Sequence, residues 1–124
     1  MKLNHDCVRD LMLYLEENLS YNNVIIVNNI TELPYSSEEI IYTAEKLYEA
    51  NFINALLSDH MGFSPPIIDI SSITYSGHSF LDTIRDNGVW SKTKSITSKF
   101  TSVSLQIISS IASQVISQLI TSSL

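Results

Sequence analysis

The chain has 124 residues, 44% of them hydrophobic and 16% charged, with a formal net charge of −6. That length suits one domain with a real core, and the composition excludes global disorder. The acidic sum argues against a general nucleic-acid binder, and a lone cysteine, Cys7, excludes an internal disulfide and suits a reducing cytosol.

Asn4 is placed to cap a first helix, with Asp6 favourable in its first turn and Val8, Leu11, Met12, Leu15 and Leu19 as its apolar stripe beside Cys7. The opening residues lead into this charged amphipathic helix rather than an apolar run, so no signal peptide is expected. No stretch approaches the roughly 20 apolar residues of a membrane-spanning helix, and the expectation is a cytoplasmic protein with no membrane partner. Asn18 to Asn23 reads as a polar loop. Val24-Ile25-Ile26-Val27 reads as a short strand, buried on both faces or tucked against a sheet.

The most strongly specified element comes next. Ser36 and Glu39 stand in capping-box spacing, Pro34 stops the helix extending backwards, and Tyr35 and Ile40 occupy staple positions. Ile40, Ala44, Leu47 and Tyr48 follow the rhythm of a buried stripe, while Glu38, Glu45, Lys46 and Glu49 lie opposite. Phe52 to Leu57 and Ile67 to Ile73 then predict two antiparallel strands joined by a turn over Asp59 to Pro66. Thr74 caps a third helix that carries Phe80, Leu81 and Ile84 inward, with Asn87-Gly88 as its expected end.

From Val89 the character changes. Val89-Trp90 reads as an anchor and Ser91 to Ser98 as a polar basic connector, with a helical form left open. From Ser102 a last helix shows Leu105, Ile108, Ile111, Ala112, Val115, Ile116, Leu119 and Ile120 against a Ser/Gln face, with no charge from Phe100 to Leu124. The expected fold is α+β: a small winged-helix-like body (helix, strand, helix, two-stranded ribbon, helix) over residues 1–90, a connector over 91–101, and an amphipathic C-terminal helix over 102–124. The short helix that usually precedes the second long one is absent or replaced by the Val24–Asn28 stretch.

Several stretches together resemble a known family: Met1-Lys2-Leu3-Asn4-His5-Asp6-Cys7-Val8-Arg9-Asp10-Leu11, Tyr35-Ser36-Ser37-Glu38-Glu39-Ile40, Leu47-Tyr48-Glu49-Ala50, Ile73 through Asp86, Val89-Trp90, and Ser102-Val103-Ser104-Leu105 ahead of an apolar helix. They are similar to the phage- and prophage-associated bacterial family called domain of unknown function 2513. The resemblance implies low-GC Gram-positive hosts, mobile elements and a winged-helix-like body, and it implies no activity. Family members usually carry Gly where Asn51 stands, and Asn is the next best residue for a left-handed turn.

The residues that carry chemistry are few. A DNA-reading helix gains affinity from Lys and Arg near phosphates, yet the second helix offers Glu38, Glu39, Glu45 and Glu49 against Lys46, and the wing loop offers Asp59 and His60. Arg85, Lys92, Lys94 and Lys99 form the better candidate for an anion or nucleic acid, weighed against solvated charges on a connector. Cys7, at the start of a helix on its apolar side, reads as a structural thiol. Ser76-Gly77-His78-Ser79 lacks the elbow sequence of a hydrolase, and Gly77 more simply permits close packing of the third helix. His78 and Asp82 offer two ligands, to which His5 and Asp6 could in principle add; two ligands are not a site, so a local His–Asp hydrogen bond is the reading there and no metal is expected. Gly62, Gly77 and Gly88 are isolated, so no phosphate loop exists and no cofactor is expected.

The tail must bury its stripe on its own body or on another chain, and it lacks the Lys and Arg of a membrane-surface helix. The sequence therefore points to a non-enzymatic protein that binds another protein through Glu38, Glu45 and Glu49. It would self-associate through Trp90, Ile108, Ile111, Val115, Ile116 and Leu119, and it would modulate a host or phage regulatory or defence system. The alternative is a winged-helix transcriptional regulator that binds DNA through the basic segment of a dimer.

Overall fold

A computed structural model describes residues 1–58 and 65–124 of the chain. It contains α1 (His5–Asn18), β1 (Ile25–Ile26), a 3-10 turn (Val27–Asn29), α2 (Ser37–Glu49), β2 (Ile53–Ser58), β3 (Ile67–Ile73), α3 (Tyr75–Ile84), α4 (Asn87–Thr97) and α5 (Leu105–Ser123). The class is α+β. The chain divides into two compact units, Met1–His78 and Ser79–Leu124.

In the first unit, α1 begins where expected, because Asn4 Oδ1 accepts from the Asp6 and Cys7 amides at 3.0 and 3.2 Å. The Asn4 side chain also donates to Glu39 Oε1 at 2.9 Å. Only half of the predicted capping box therefore forms. Ser36 Oγ accepts from the Glu39 amide at 3.2 Å, but the Glu39 carboxylate accepts from Asn4, a donor supplied by the neighbouring helix. Tyr35 Oη donates to Asp10 Oδ2 at 2.6 Å, a second tie between α1 and the start of α2. The two helices pack through Cys7, Val8, Leu11, Met12 and Leu15 on one side and Ile40, Ile41, Thr43, Ala44 and Leu47 on the other. Tyr48, predicted in this stripe, is 45% exposed, although Leu47 beside it in the last turn is buried.

The sheet is antiparallel in the order β1-β3-β2. The Val24–Val27 run is not the buried strand that β-branching suggests. Only Ile25 and Ile26 pair with β3, Val24 is 54% exposed, and Ile26 lies half open at the sheet edge. The pairing stops because the chain turns into the 3-10 turn, where Asn28 donates to the Pro66 carbonyl and accepts from the Ile68 amide, both at 3.1 Å. β2 pairs with β3 from Ile53↔Ile73 to Ser58↔Ile67, with Ser71 as an extra residue between Asn54↔Ser72 and Ala55↔Ile70. The inner face of the ribbon carries Ile53, Ile68 and Ile70, all buried. Asp59 and His60, the predicted wing residues, lie outside the described residues.

Asn51 takes the left-handed conformation at φ 62° and turns α2 into β2. Thr74 closes the next junction. Its hydroxyl donates to the Asn51 carbonyl at 2.6 Å and accepts from the Gly77 amide at 3.0 Å. A Cβ at Gly77 would run into the Phe52 carbonyl and Ile73 Cγ2, so only glycine lets α3 start so close to the ribbon.

In the second unit, α3 ends at Ile84, earlier than the expected stop at Asn87-Gly88. Asp86 takes those residues into α4 by capping it, accepting from the Val89 amide at 2.9 Å. An aspartate cap starts a helix more strongly than an exposed glycine in its first turn opposes it. The predicted connector is thus largely helix α4, which buries Val89, Trp90, Thr93 and Thr97. Ser104 caps α5 by accepting from the Ile107 amide at 3.2 Å. α5 packs on α4 and buries Ile108, Ala112 and Val115.

Candidate functional site

On α2, Glu38 and Glu49 are exposed, and Glu45 and Lys46 are half-buried. Lys46 Nζ pairs with Glu49 Oε2 at 2.8 Å and sits 5.2 Å from the centre of the Tyr42 ring. The Glu49 hydrogen bond pushes the Lys46 ammonium above its ordinary pKa, so the cation of this face stays charged and committed to Glu49. What the face presents to a partner is net negative, through Glu38 and Glu45. Such a face repels phosphates and attracts Lys and Arg.

The candidate anion-binding residues Arg85, Lys92, Lys94 and Lys99 lie in the second unit and are not all gathered on one surface. Arg85 Nη1 pairs with Asp82 Oδ1 at 2.7 Å. Lys92 and Lys94 are two positions apart on α4, about 200° around the helix, so they leave from opposite sides. Lys94 is half-buried, with Nζ 5.5 Å from the Trp90 ring centre. Lys92 is exposed on α4, and Lys99 is exposed just beyond its end.

Of the residues expected to mediate self-association, Trp90, Ile108 and Val115 are buried within the chain itself, Ile111 and Ile116 are half-buried, and Leu119 is exposed. The apolar surface that α5 leaves open is instead Ile107, Leu119, Ile120 and the terminal Leu124. A period count could not separate these, because it does not say how far along the helix its neighbour reaches.

The remaining candidates are quieter. Cys7 is fully buried; burial raises its pKa, against the lowering effect of the Thr43 hydroxyl, which donates to Sγ at 3.3 Å. A thiol kept protonated is a poor nucleophile. Asp82 accepts from Arg85 rather than forming the expected bond with His78. No group of three or more His, Cys, Asp or Glu among the described residues is placed to hold a metal ion. His78 instead lines an open cleft of about 620 Å³, together with Leu15, Glu16, Leu19, Val24 and Ile73. This cleft is not legible in the sequence, because its lining comes from α1, the loop after it, β3 and the start of α3. No helix among the described residues is long and apolar enough to cross a membrane.

A family model described as "Hypothetical protein (DUF2513)" matches residues 2–104. A relative from Haemophilus influenzae, described as "Uncharacterized protein", is 31% identical over 121 residues, which cover 97% of this chain and 99% of that protein. This relative comes from outside the low-GC Gram-positive hosts that the resemblance implied. No solved structure matches the chain. The family model stops short of α5, whereas the relative extends along nearly the whole chain. With more than half its length matched by the family model, the chain belongs to the DUF2513 family.

Proposed function

We propose that this is a non-enzymatic, phage-associated protein with a winged-helix-like body, and that it binds a basic protein partner to modulate a host or phage regulatory or defence system. The observation that carries the reading is the state of α2. Its cation is held by Glu49 at 2.8 Å, so the exposed face is acidic where a DNA reader needs positive charge. The order α1, β1, 3-10 turn, α2, β2, β3, α3 and the sheet order β1-β3-β2 support the winged-helix-like reading, with the 3-10 turn standing where the short helix is usually found. The exposed end of α5 supports self-association through Leu119 and Ile120. A cytoplasmic location fits this role.

The second reading is a regulator that binds DNA through Lys92, Lys94, Lys99 and Arg85 of a dimer. It is favoured by the exposure of Lys92 and Lys99. It is weakened by the Arg85–Asp82 pair and by the divergent directions of Lys92 and Lys94.

One experiment separates the two. The protein is titrated against labelled duplex DNA at low and rising salt, and used as bait in a bacterial lysate, alongside Glu45→Lys/Glu49→Lys and Lys92→Ala/Lys94→Ala variants. The acidic-face reading expects a captured protein that is lost on charge reversal and kept on lysine removal. DNA binding with a steep salt slope that is lost on lysine removal would reject it.

A further inference from the structure

The sheet order β1-β3-β2 leaves one side of β2 without a strand neighbour among the described residues. Such an edge carries unpaired backbone N–H and C=O groups, and proteins usually guard it with lysine, proline or an inward charge. Ile53-Asn54-Ala55-Leu56-Leu57-Ser58 has none of these. The bulge at Ser71 lies near the start of the strand and leaves Ala55 to Ser58 regularly paired. Leu56 is 66% exposed and Leu57 is 36% exposed.

We propose that β2 pairs antiparallel with β2 of a second copy of this chain, about a two-fold axis at Leu56, fusing two three-stranded sheets into one of six strands. The pattern of the strand itself selects this occupant. Residues directly opposite in a sheet point to the same side, so both cores lie on one side only when positions of equal parity face each other. A two-fold axis at Ala55 sets Asn54 against Leu56, and one at Leu57 sets Leu56 against Ser58. The axis at Leu56 instead sets Leu56 against Leu56, Ala55 against Leu57 and Asn54 against Ser58. Apolar then meets apolar and polar meets polar, and no charge opposes a like charge within the pair.

The nearest charge in the sheet, Asp69, is one strand in from the edge, opposite Leu56. The two Asp69 residues would stand three strand spacings apart, roughly 14 Å, which exceeds the screening length of about 10 Å in 0.1 M salt. Two chains that each carry −6 repel elsewhere, so an uncharged edge is a favourable place for them to meet.

Cross-linking in the full chain tests this. Residues directly opposite across an antiparallel pair have Cα atoms about 4.5–5.5 Å apart, within disulfide reach. Leu56→Cys is therefore expected to form a covalent dimer under mild oxidation at least tenfold faster than Ser58→Cys, whose two copies would lie four residues, roughly 13 Å, apart along the strands. The double variant Asn54→Cys/Ser58→Cys is expected to cross-link as fast as Leu56→Cys. The buried Cys7 of the parent chain serves as the background. Leu56→Lys, checked for native circular dichroism, is expected to lower the mass measured by light scattering.

Equal rates for Leu56→Cys and Ser58→Cys, or an unchanged mass for Leu56→Lys, would overturn the pairing. The strand contact does not rest on α5. The Leu56→Cys cross-link should survive removal of residues 117–124, and its loss on that removal would also overturn the proposal. Failure of the acidic-face reading would leave it untouched.

Discussion

Gly77→Ala is the sharpest single test of how the first unit is held together. The added methyl would press on the Phe52 carbonyl and would lie 2.7 Å from Ile73 Cγ2 and 2.9 Å from the Phe52 carbonyl carbon. Comfortable carbon contacts begin near 3.5 Å, so the helix or the strand must shift by most of an ångström. The Phe52 oxygen cannot yield freely, because it accepts from the Thr74 amide at 3.0 Å in the junction that starts α3.

Overpacking of this kind costs about 1–3 kcal/mol, and the weakened Thr74 hydrogen bond adds about 1 kcal/mol. The better helix propensity of alanine returns at most about 1 kcal/mol. The net expectation is a loss of about 1–4 kcal/mol, read as a lower urea midpoint with an unchanged slope. Gly88→Ala is the control. Gly88 is exposed in the first turn of α4, and its added Cβ meets only Asp86 Oδ1, at 3.2 Å. Propensity gain and cap crowding should nearly cancel there, to within about 0.5 kcal/mol. A Gly77→Ala protein as stable as the parent would refute the close-approach reasoning.

Asn4→Ala removes both the α1 cap and the donor to Glu39, so it should cost about 1–3 kcal/mol in urea unfolding. Asn4→Ser, which keeps a cap and loses the reach to Glu39, should recover about half. Tyr35 and Cys7 predict sensitivity to base. Burial and the Asp10 carboxylate hold the Tyr35 phenol above its ordinary 10.0, and burial holds Cys7 above 9.0. The folded chain then binds more protons than the unfolded one once pH passes the ordinary values. Stability should be level below about pH 9 and fall above it, and the fall near pH 10 and beyond should be smaller in Tyr35→Phe. Removal of residues 117–124 takes away only exposed side chains of α5; it should leave the thermal midpoint within about 3 °C and lower the self-association proposed for Leu119 and Ile120.

Local chemistry made much of this chain legible. Asn4, Ser36 and Thr74 each begin a helix where expected, because a short polar side chain satisfies orphan amides only a few residues away; the last helix, expected from Ser102, starts after the cap at Ser104. Asn51 turns the chain because a left-handed residue is needed between α2 and β2. Gly77 reads as a packing glycine for a different reason, that a residue without a Cβ lets α3 approach the Phe52 carbonyl closely. Tertiary contact decided the rest. Glu39 turned from its own capping box to Asn4 of another helix. The β-branched run at Val24–Val27 pairs only through Ile25 and Ile26, because Asn28 bonds across to β3, and Asp86, by capping α4, decides for helix in the basic connector.

Most of what bears on function belongs to this second group. The alternating pattern predicts β2 as a strand, but only the sheet order makes it an edge, since strand order depends on which segments meet across the chain. The apolar period of α5 predicts a stripe, but only its packing on α4 divides that stripe into a covered half at Ile108–Val115 and an open end at Leu119 and Ile120. Sequence pattern determines what a segment can bury; the neighbour it meets in the fold determines what it still presents.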